Sequence, residues 1–169
     1  MNLQEYLNKE LSGKSEENLE LISIVCSIAD STVDIASDTR VTGLKQIRGS
    51  ANEINIQGEE VQLLDQIANK SLIDNLKKNN SCAGYASEEI DEPIIFNQSS
   101  RFMVVADPLD GSSNISVNMP IGTIFGIIRN TDYGISSFNK SGRYYISAGY
   151  SLYGPSDIFV ICVNNKVSE

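Results

Sequence analysis

Phe102-Met103-Val104-Val105-Ala106 runs straight into Asp107-Pro108-Leu109-Asp110-Gly111-Ser112-Ser113-Asn114. The first five residues are a dense apolar run, the pattern of a buried strand. The next eight are turn formers: Pro108 fixes one φ, and Gly111 tolerates backbone angles that other residues avoid. This predicts a chain reversal at the strand's end, flanked by the carboxylates of Asp107 and Asp110, with the Leu109 carbonyl between them. Carboxylate and carbonyl oxygens are the donors that a hard divalent cation such as Mg²⁺ takes. Gly111, Ser112 and Ser113 follow with hydroxyls and backbone N–H groups, and successive N–H groups in such a turn form a concavity for phosphate. An ordinary type I turn uses the same residue types. The order of buried strand, acids and Gly-Ser-Ser favours metal-assisted phosphate chemistry.

Toward the N-terminus the periodicity predicts helices. Residues 2–10 form a short one, with Asn2 placed to cap and Glu5 to reach back. From Glu16 to Ala36, apolar residues recur at threes and fours (Leu19, Ile22, Val25, Ala29, Val33, Ala36), and Leu21, Ile24, Ile28 and Ile35 widen that face into a core helix. Between Ser37 and Gln57 the periodicity disappears for some twenty residues, more than a compact domain usually keeps without purpose. A third helix is predicted over Glu59–Lys78, with Val61, Leu64, Ala68, Leu72 and Leu76 on one face. Glu59 and Asp65 lie off that stripe, as solvated helix charges or as acids aimed at a site.

Beyond Asn79-Asn80 the pattern turns to strands: Ala83–Ser87, Pro93–Phe96, the central run, Ile121–Arg129, Arg143–Gly154 and Asp157–Val163. Tyr144, Tyr145, Tyr150 and Tyr153 alternate with small residues and read as sheet packing. Adjacent residues on a strand point to opposite faces, so only one of Glu88 and Glu89 can face a given metal directly. The expected fold class is α+β, N-terminal helices packed on a largely antiparallel sheet. Val163–Val167 reads as a hairpin turn opening a strand that stops at Glu169, as in a fragment of a longer protein.

The chain has 169 residues, 41% of them hydrophobic and 21% charged, and a net charge of −9. That charge argues against a nucleic-acid partner. It suits an enzyme of anionic substrates only if part of it is an acid cluster that cations neutralise. The chain contains no histidine, which excludes Ser-His-Asp and Cys-His catalysis and histidine-ligated zinc. Met1 leads into polar residues, and no apolar run approaches the ~20 residues of a membrane span. Cys26, Cys82 and Cys162 read as buried thiols of a reducing compartment. A cytoplasmic protein that engages no membrane is expected.

DPLDGSSN, followed by Gly122-Thr123-Ile124-Phe125-Gly126-Ile127, resembles the signature of class I fructose-1,6-bisphosphatases. Those enzymes sit among the Mg²⁺-dependent, lithium-sensitive sugar and inositol phosphatases. Gly58-Glu59 with Asp65, and Ser87-Glu88-Glu89, match in the family's order. The resemblance implies the N-terminal, metal-binding half of a layered αβαβα fold, with 37–57 as a mobile loop closing on the site and the substrate-holding half absent. It implies Glu88, Asp107, Asp110 and the Leu109 carbonyl as metal ligands, with Glu59 as an outer or third-site ligand. Asp65 and Glu89 would orient and deprotonate the attacking water, and Gly111, Ser112 and Ser113 would grip phosphate.

The implied reaction is hydrolysis of the 1-phosphate of fructose 1,6-bisphosphate, a step of gluconeogenesis, with Mg²⁺ as cofactor (Mn²⁺ or Zn²⁺ substituting). The whole protein would be a homotetramer. A sedoheptulose-bisphosphate or inositol-monophosphate phosphatase is the alternative within the superfamily, and a noncatalytic metal-binding or assembly domain the alternative outside it. Ser15, Glu16, Glu17 and Arg129 stand where the family binds AMP, but Arg101-Phe102 replaces the Lys-Tyr of animal members and removes a hydroxyl. Carboxylates clustered without metal repel one another, so raised pKa values are expected at the site.

Overall fold

The structure is a computed structural model that describes residues 1–11, 15–40, 50–54, 60–117 and 119–169, with the backbone alone for 50–54, 60–62 and 115–117. Helix α1 (Leu3–Glu10) begins at the expected reciprocal cap: Glu5 N–H donates to Asn2 Oδ1 at 2.8 Å, and Asn2 N–H to the Glu5 carboxylate at 3.1 Å. Helix α2 (Glu16–Arg40) runs four residues past the predicted end. Its buried face is Leu21, Ile22, Ile24, Val25, Ile28, Ile35 and Ala36, whereas Leu19 is 49% and Val33 68% exposed. The face is therefore rotated from the predicted stripe toward what had seemed its flank. At the start of α2, Arg129 donates to Glu17 at 2.6 and 3.0 Å and Arg101 to Glu20 at 2.7 Å. Both arginines at the expected AMP position are thus engaged by α2's own acids.

Helix α3 (Leu63–Lys78) starts later than predicted. Strand β2 (Glu60–Gln62) precedes it and pairs antiparallel with β1 (Ser50–Ile54). Ladder pairing of Ser50 with Gln62 and of Ile54 with Glu60 satisfies backbone that the first helical turn would have used, a tertiary override of helical pattern. The expected 37–57 loop is accordingly narrower, because Ser37–Arg40 belong to α2 and Ser50–Ile54 to β1. Its remainder, 41–49 and 55–57, lies outside the described residues. On α3, Leu64, Ala68, Leu72 and Leu76 are buried as predicted.

The main sheet has seven strands: β3 (Cys82–Ser87), β4 (Ile94–Ile95), β5 (Phe102–Asp110), β6 (Ile121–Arg129), β7 (Ser147–Tyr153), β8 (Ile158–Val163) and β9 (Lys166–Ser168). Their order is β4-β3-β5-β6-β7-β8-β9; β3 and β5 are parallel and every other pair is antiparallel. Leu7, Ile24, Val25, Ile28, Leu72 and Leu76 of the helices pack with Tyr85, Val104, Phe125, Ile127 and Ile161 of the sheet in one core. The architecture is the expected α+β. No helix among the described residues is long and apolar enough to cross a membrane.

Three local readings change. Arg143–Tyr145 does not join the sheet: Gly142–Tyr144 is a 3₁₀ turn, and the ring of Tyr145 lies where a side chain on Gly126 would be, 2.6 Å from an ideal Cβ. Of the four tyrosines only Tyr153 is core, at 6% exposed, while Tyr150 stays 41% exposed. The third change concerns Asp107–Asp110, which continue β5 instead of reversing the chain. Asp107 pairs with Ile124 and Asp110 with Gly122, so three steps on β5 face two on β6. This is a one-residue bulge placed at Pro108, which has no N–H for the ladder. The reversal comes at Gly111, whose φ of 79° is left-handed. The β8–β9 hairpin is as predicted, with Asn164 and Asn165 at φ 53° and 58°.

Candidate active site

Helix α3 leads through a short turn into β3, and β5 lies parallel to β3. The N-terminus of α3 and the C-terminal ends of β3 and β5 therefore share one end of the sheet. The start of β6 joins them, since Asp110 pairs with Gly122. Of the predicted site residues within the described set, Asp65 lies in the first turn of α3, Glu88 and Glu89 just beyond β3, Asp107, Leu109 and Asp110 at the end of β5, and Gly111, Ser112 and Ser113 in the turn and 3₁₀ helix that follow it. Glu59 lies outside the described residues.

Asp65 sits in the first turn of α3 and is only 3% exposed, which rules out a solvated helix charge. Its neighbour Leu64 packs with Leu109, Ile35, Ala36, Ile121 and Tyr153 in a second core. That cluster fixes α3's first turn to the β5 bulge, between Asp107 and Asp110. Glu88 and Glu89 follow the end of β3, Glu88 exposed and Glu89 half-buried. Glu89 N–H donates to Ser87 Oγ at 3.1 Å.

Asp107 is half-buried, and Leu109 N–H donates to its Oδ1 at 3.1 Å. Its carboxyl is pushed up to about 7, first by burial and then by the charge of Glu88; Asp110 adds to the rise, and the Leu109 N–H opposes it. The Glu88 carboxylate thus lies close enough to Asp107 to favour its protonated form. Both line a cleft of about 630 Å³ whose other walls are largely apolar, including Ala86, Phe125 and Ala148.

Behind the bulge, Thr123 Oγ1 donates to the Pro108 carbonyl at 2.7 Å and is hydrogen-bonded to the Tyr153 hydroxyl. After Asp110 the turn is closed by Asn114 N–H donating to the Gly111 carbonyl at 2.7 Å and by Asn114 Nδ2 donating to the Pro120 carbonyl at 3.2 Å. Gly111 and Ser112 are partly exposed, and Ser113 is exposed. Sequence reading passed over Thr123 and Tyr153 as scaffold. The signal was the placement of Thr123 on the same strand face as Phe125 and Ile127, where a hydroxyl needs a buried partner.

Among the described residues no three acids converge into one ligand set; the structure brings together a pair, Glu88 and Asp107, with Asp110 within electrostatic reach. Among the described ion pairs no lysine or arginine meets Glu88, Asp107 or Asp110. Carboxylates crowded without an internal counter-charge, oxygen donors throughout, fit a hard divalent cation.

The fold is an α+β domain that carries carboxylates and a Gly-Ser-Ser turn at one end of its main sheet. Its likeness among solved structures is to fructose-1,6-bisphosphatase of Leishmania major. The holo form matches with a TM-score of 0.88 and 27% identity, covering 99% of this chain and 53% of that one. The apo form matches with a TM-score of 0.79 and 25% identity. Residues 2–169 match the family described as fructose-1-6-bisphosphatase, N-terminal domain. The chain is 37% identical over 170 residues to the class 1 fructose-1,6-bisphosphatase of Persephonella marina, covering 99% of this chain and 53% of that relative. It is 44% identical over 144 residues to that of a Sulfurihydrogenibium species, covering 84% of this chain and 45% of that relative. The chain belongs to the fructose-1,6-bisphosphatase family, and it spans about half the length of the relatives it matches.

Proposed function

We propose that this chain supplies the metal-binding half of an enzyme that removes the 1-phosphate of fructose 1,6-bisphosphate, giving fructose 6-phosphate and phosphate. The observation that carries the reading is the crowding of Asp107 by Glu88 and Asp110, set beside Gly111-Ser112-Ser113 at one sheet end. Glu88, Asp107, Asp110 and the Leu109 carbonyl are the residues that would hold divalent cations, with Glu59 as an outer ligand. Mg²⁺, or Mn²⁺ or Zn²⁺ in its place, would supply Lewis acidity there to polarise the phosphoryl group and acidify the attacking water.

The protein's own groups do the rest. Asp65 and Glu89 orient that water and accept its proton as it attacks phosphorus in line. Backbone N–H groups of Gly111, Ser112 and Ser113 and the serine hydroxyls hold the phosphoryl oxygens, charge-assisted bonds that also fix the attack angle. In this reading the whole protein is a cytoplasmic homotetramer.

The test is phosphate release from fructose 1,6-bisphosphate with Mg²⁺, measured on the whole gene product beside Asp110→Ala. Release that vanishes in the variant supports the reading. A folded whole protein that cleaves sedoheptulose bisphosphate or inositol monophosphate instead moves the substrate assignment, and one that cleaves no phosphate ester leaves a noncatalytic domain.

A further inference from the structure

Asp107 and Asp110 are three residues apart, and side chains alternate along a strand, so a regular β5 would send their carboxylates to opposite faces. The register does otherwise. Asp107 pairs with Ile124 and Asp110 with Gly122, two residues of one β6 face, and paired residues of an antiparallel ladder share a face. The one-residue bulge at Pro108 therefore brings both acids to the same side of the sheet. It is the side of the cleft, which Asp107 lines together with Ile124 and Gly126. Without the bulge, one of the two carboxylates would turn toward the helices.

The opposite face holds the bulge in place. Thr123, between Gly122 and Ile124 on β6, is fully buried, and its hydroxyl donates to the Pro108 carbonyl at 2.7 Å. A second hydroxyl, that of the buried Tyr153 on β7, is bonded to Thr123 Oγ1. The carbonyl can only accept, so Thr123 gives its one proton there and Tyr153 gives its own to Thr123. The same face of β6 carries Ile121, Phe125 and Ile127, all buried. A hydroxyl among them is unfavourable unless it is bonded, and valine would fill the same space without it. Packing thus explains the size of Thr123, and the Pro108 carbonyl explains its oxygen.

We propose that Thr123, seated by the Tyr153 hydroxyl, is a positioning residue of the metal site, holding the Pro108 bulge that presents the Asp107 and Asp110 carboxylates on one face of the sheet. The inference rests on the metal site of the proposed function and adds to it a group on the far side of the sheet, in contact with neither metal nor substrate. Outer partners that orient metal ligands are worth about 10–100-fold in metal affinity.

The experiment is Mn²⁺ binding to the whole gene product by titration calorimetry, with the fold of each variant checked by circular dichroism and thermal melting. Thr123→Val keeps the shape and removes the hydroxyl; it is expected to weaken Mn²⁺ binding about tenfold. Thr123→Ser keeps the hydroxyl and should bind as the parent does. Tyr153→Phe leaves the Pro108 bond but removes the donor that orients Thr123, so a smaller loss in the same direction is expected. Asn75→Ala is the control, removing the 2.9 Å bond to Ser31 Oγ between α3 and α2; it should lower the melting temperature and leave affinity unchanged. Thr123→Val that melts lower but binds Mn²⁺ as before overturns the positioning role alone, as does Thr123→Ser binding as weakly as the valine variant. Should Thr123→Val not fold, Tyr153→Phe decides: weaker binding supports the role and unchanged binding overturns it. No Mn²⁺ binding by the unaltered protein overturns the metal site, and this inference with it.

Discussion

Thr123 Oγ1, fully buried on β6, donates to the Pro108 carbonyl across 2.7 Å, fifteen residues away in sequence. Because Thr123 spends its proton there, the hydroxyl of Tyr153 must donate to Thr123. A bulge at Pro108 lacks one ladder bond, and this pair of hydroxyls replaces it from the side. Thr123→Val keeps the shape and strands both the carbonyl and the tyrosine hydroxyl. Leaving such groups unsatisfied costs about 1–3 kcal/mol. Urea unfolding should show that loss for Thr123→Val and a much smaller one for Thr123→Ser, which keeps the hydroxyl; equal losses would assign the effect to packing.

The raised carboxyl of Asp107 fixes how metal-free stability responds to pH. Its ordinary value is 3.8 and its folded value about 7, so between those limits the folded state holds a proton that the unfolded chain has lost. Stability then falls as pH rises from about 4 to about 7. Asp107→Asn, which stays neutral throughout, should flatten that part of the profile and melt higher than the parent at pH 7.5. A variant whose profile runs parallel to the parent's would place the proton elsewhere.

Some of this was legible in the sequence because it is local. The Asn2/Glu5 cap, the Asn164-Asn165 hairpin and the β5 apolar run need no distant partner. What failed needed one. Apolar residues surround so much of α2 that spacing could not choose between Leu19 and Leu21, and the sheet chose. The Asp107–Asp110 segment has turn residues and yet stays in the ladder, since Thr123 and the pairing of Asp110 with Gly122 hold it there. Asp65 looks like a surface charge until Leu64 meets Leu109. The site's acids were named from motif, but the Thr123–Pro108 bond spans fifteen residues and leaves no trace in either motif.

Divalent cations should reverse the pH effect. A cation that binds only the folded chain stabilises it by mass action, and it competes with the proton held by Asp107. Millimolar Mg²⁺ should therefore raise the melting temperature, and more at pH 8 than at pH 5. The rise should disappear in Asp107→Asn. A melting temperature indifferent to Mg²⁺ at both pH values would remove the metal from the site.

Cys82 is fully buried, its thiol donates to the Gly84 carbonyl at 3.4 Å, and burial pushes it up to about 12. Thiolate is the reactive form, so at pH 8 this sulfur should resist a thiol reagent in the native chain and react once urea unfolds it. Peptide mapping after timed labelling distinguishes it from the partly exposed Cys26 and Cys162. Rapid native labelling of Cys82 would mean that β3 opens readily from the sheet.

Gly111 turns the chain out of β5 at a φ of 79°, where an L side chain costs about 1–2 kcal/mol. A Cβ there would also lie 3.1 Å from Asn114 Nδ2, the group that closes the turn on Pro120. Gly111→Ala therefore stresses the backbone and its clasp together. In the proposed reading the same turn presents Ser112 and Ser113 to phosphate, so the variant should lose about that much stability in urea and also weaken inorganic phosphate binding. Asn114→Ala removes the clasp without the Cβ and tests the two causes apart: it should lose less stability than Gly111→Ala while weakening phosphate in the same direction. If phosphate binding were unchanged in both, the turn would be a structural reversal only, and the phosphate contacts would have to come from elsewhere in the protein.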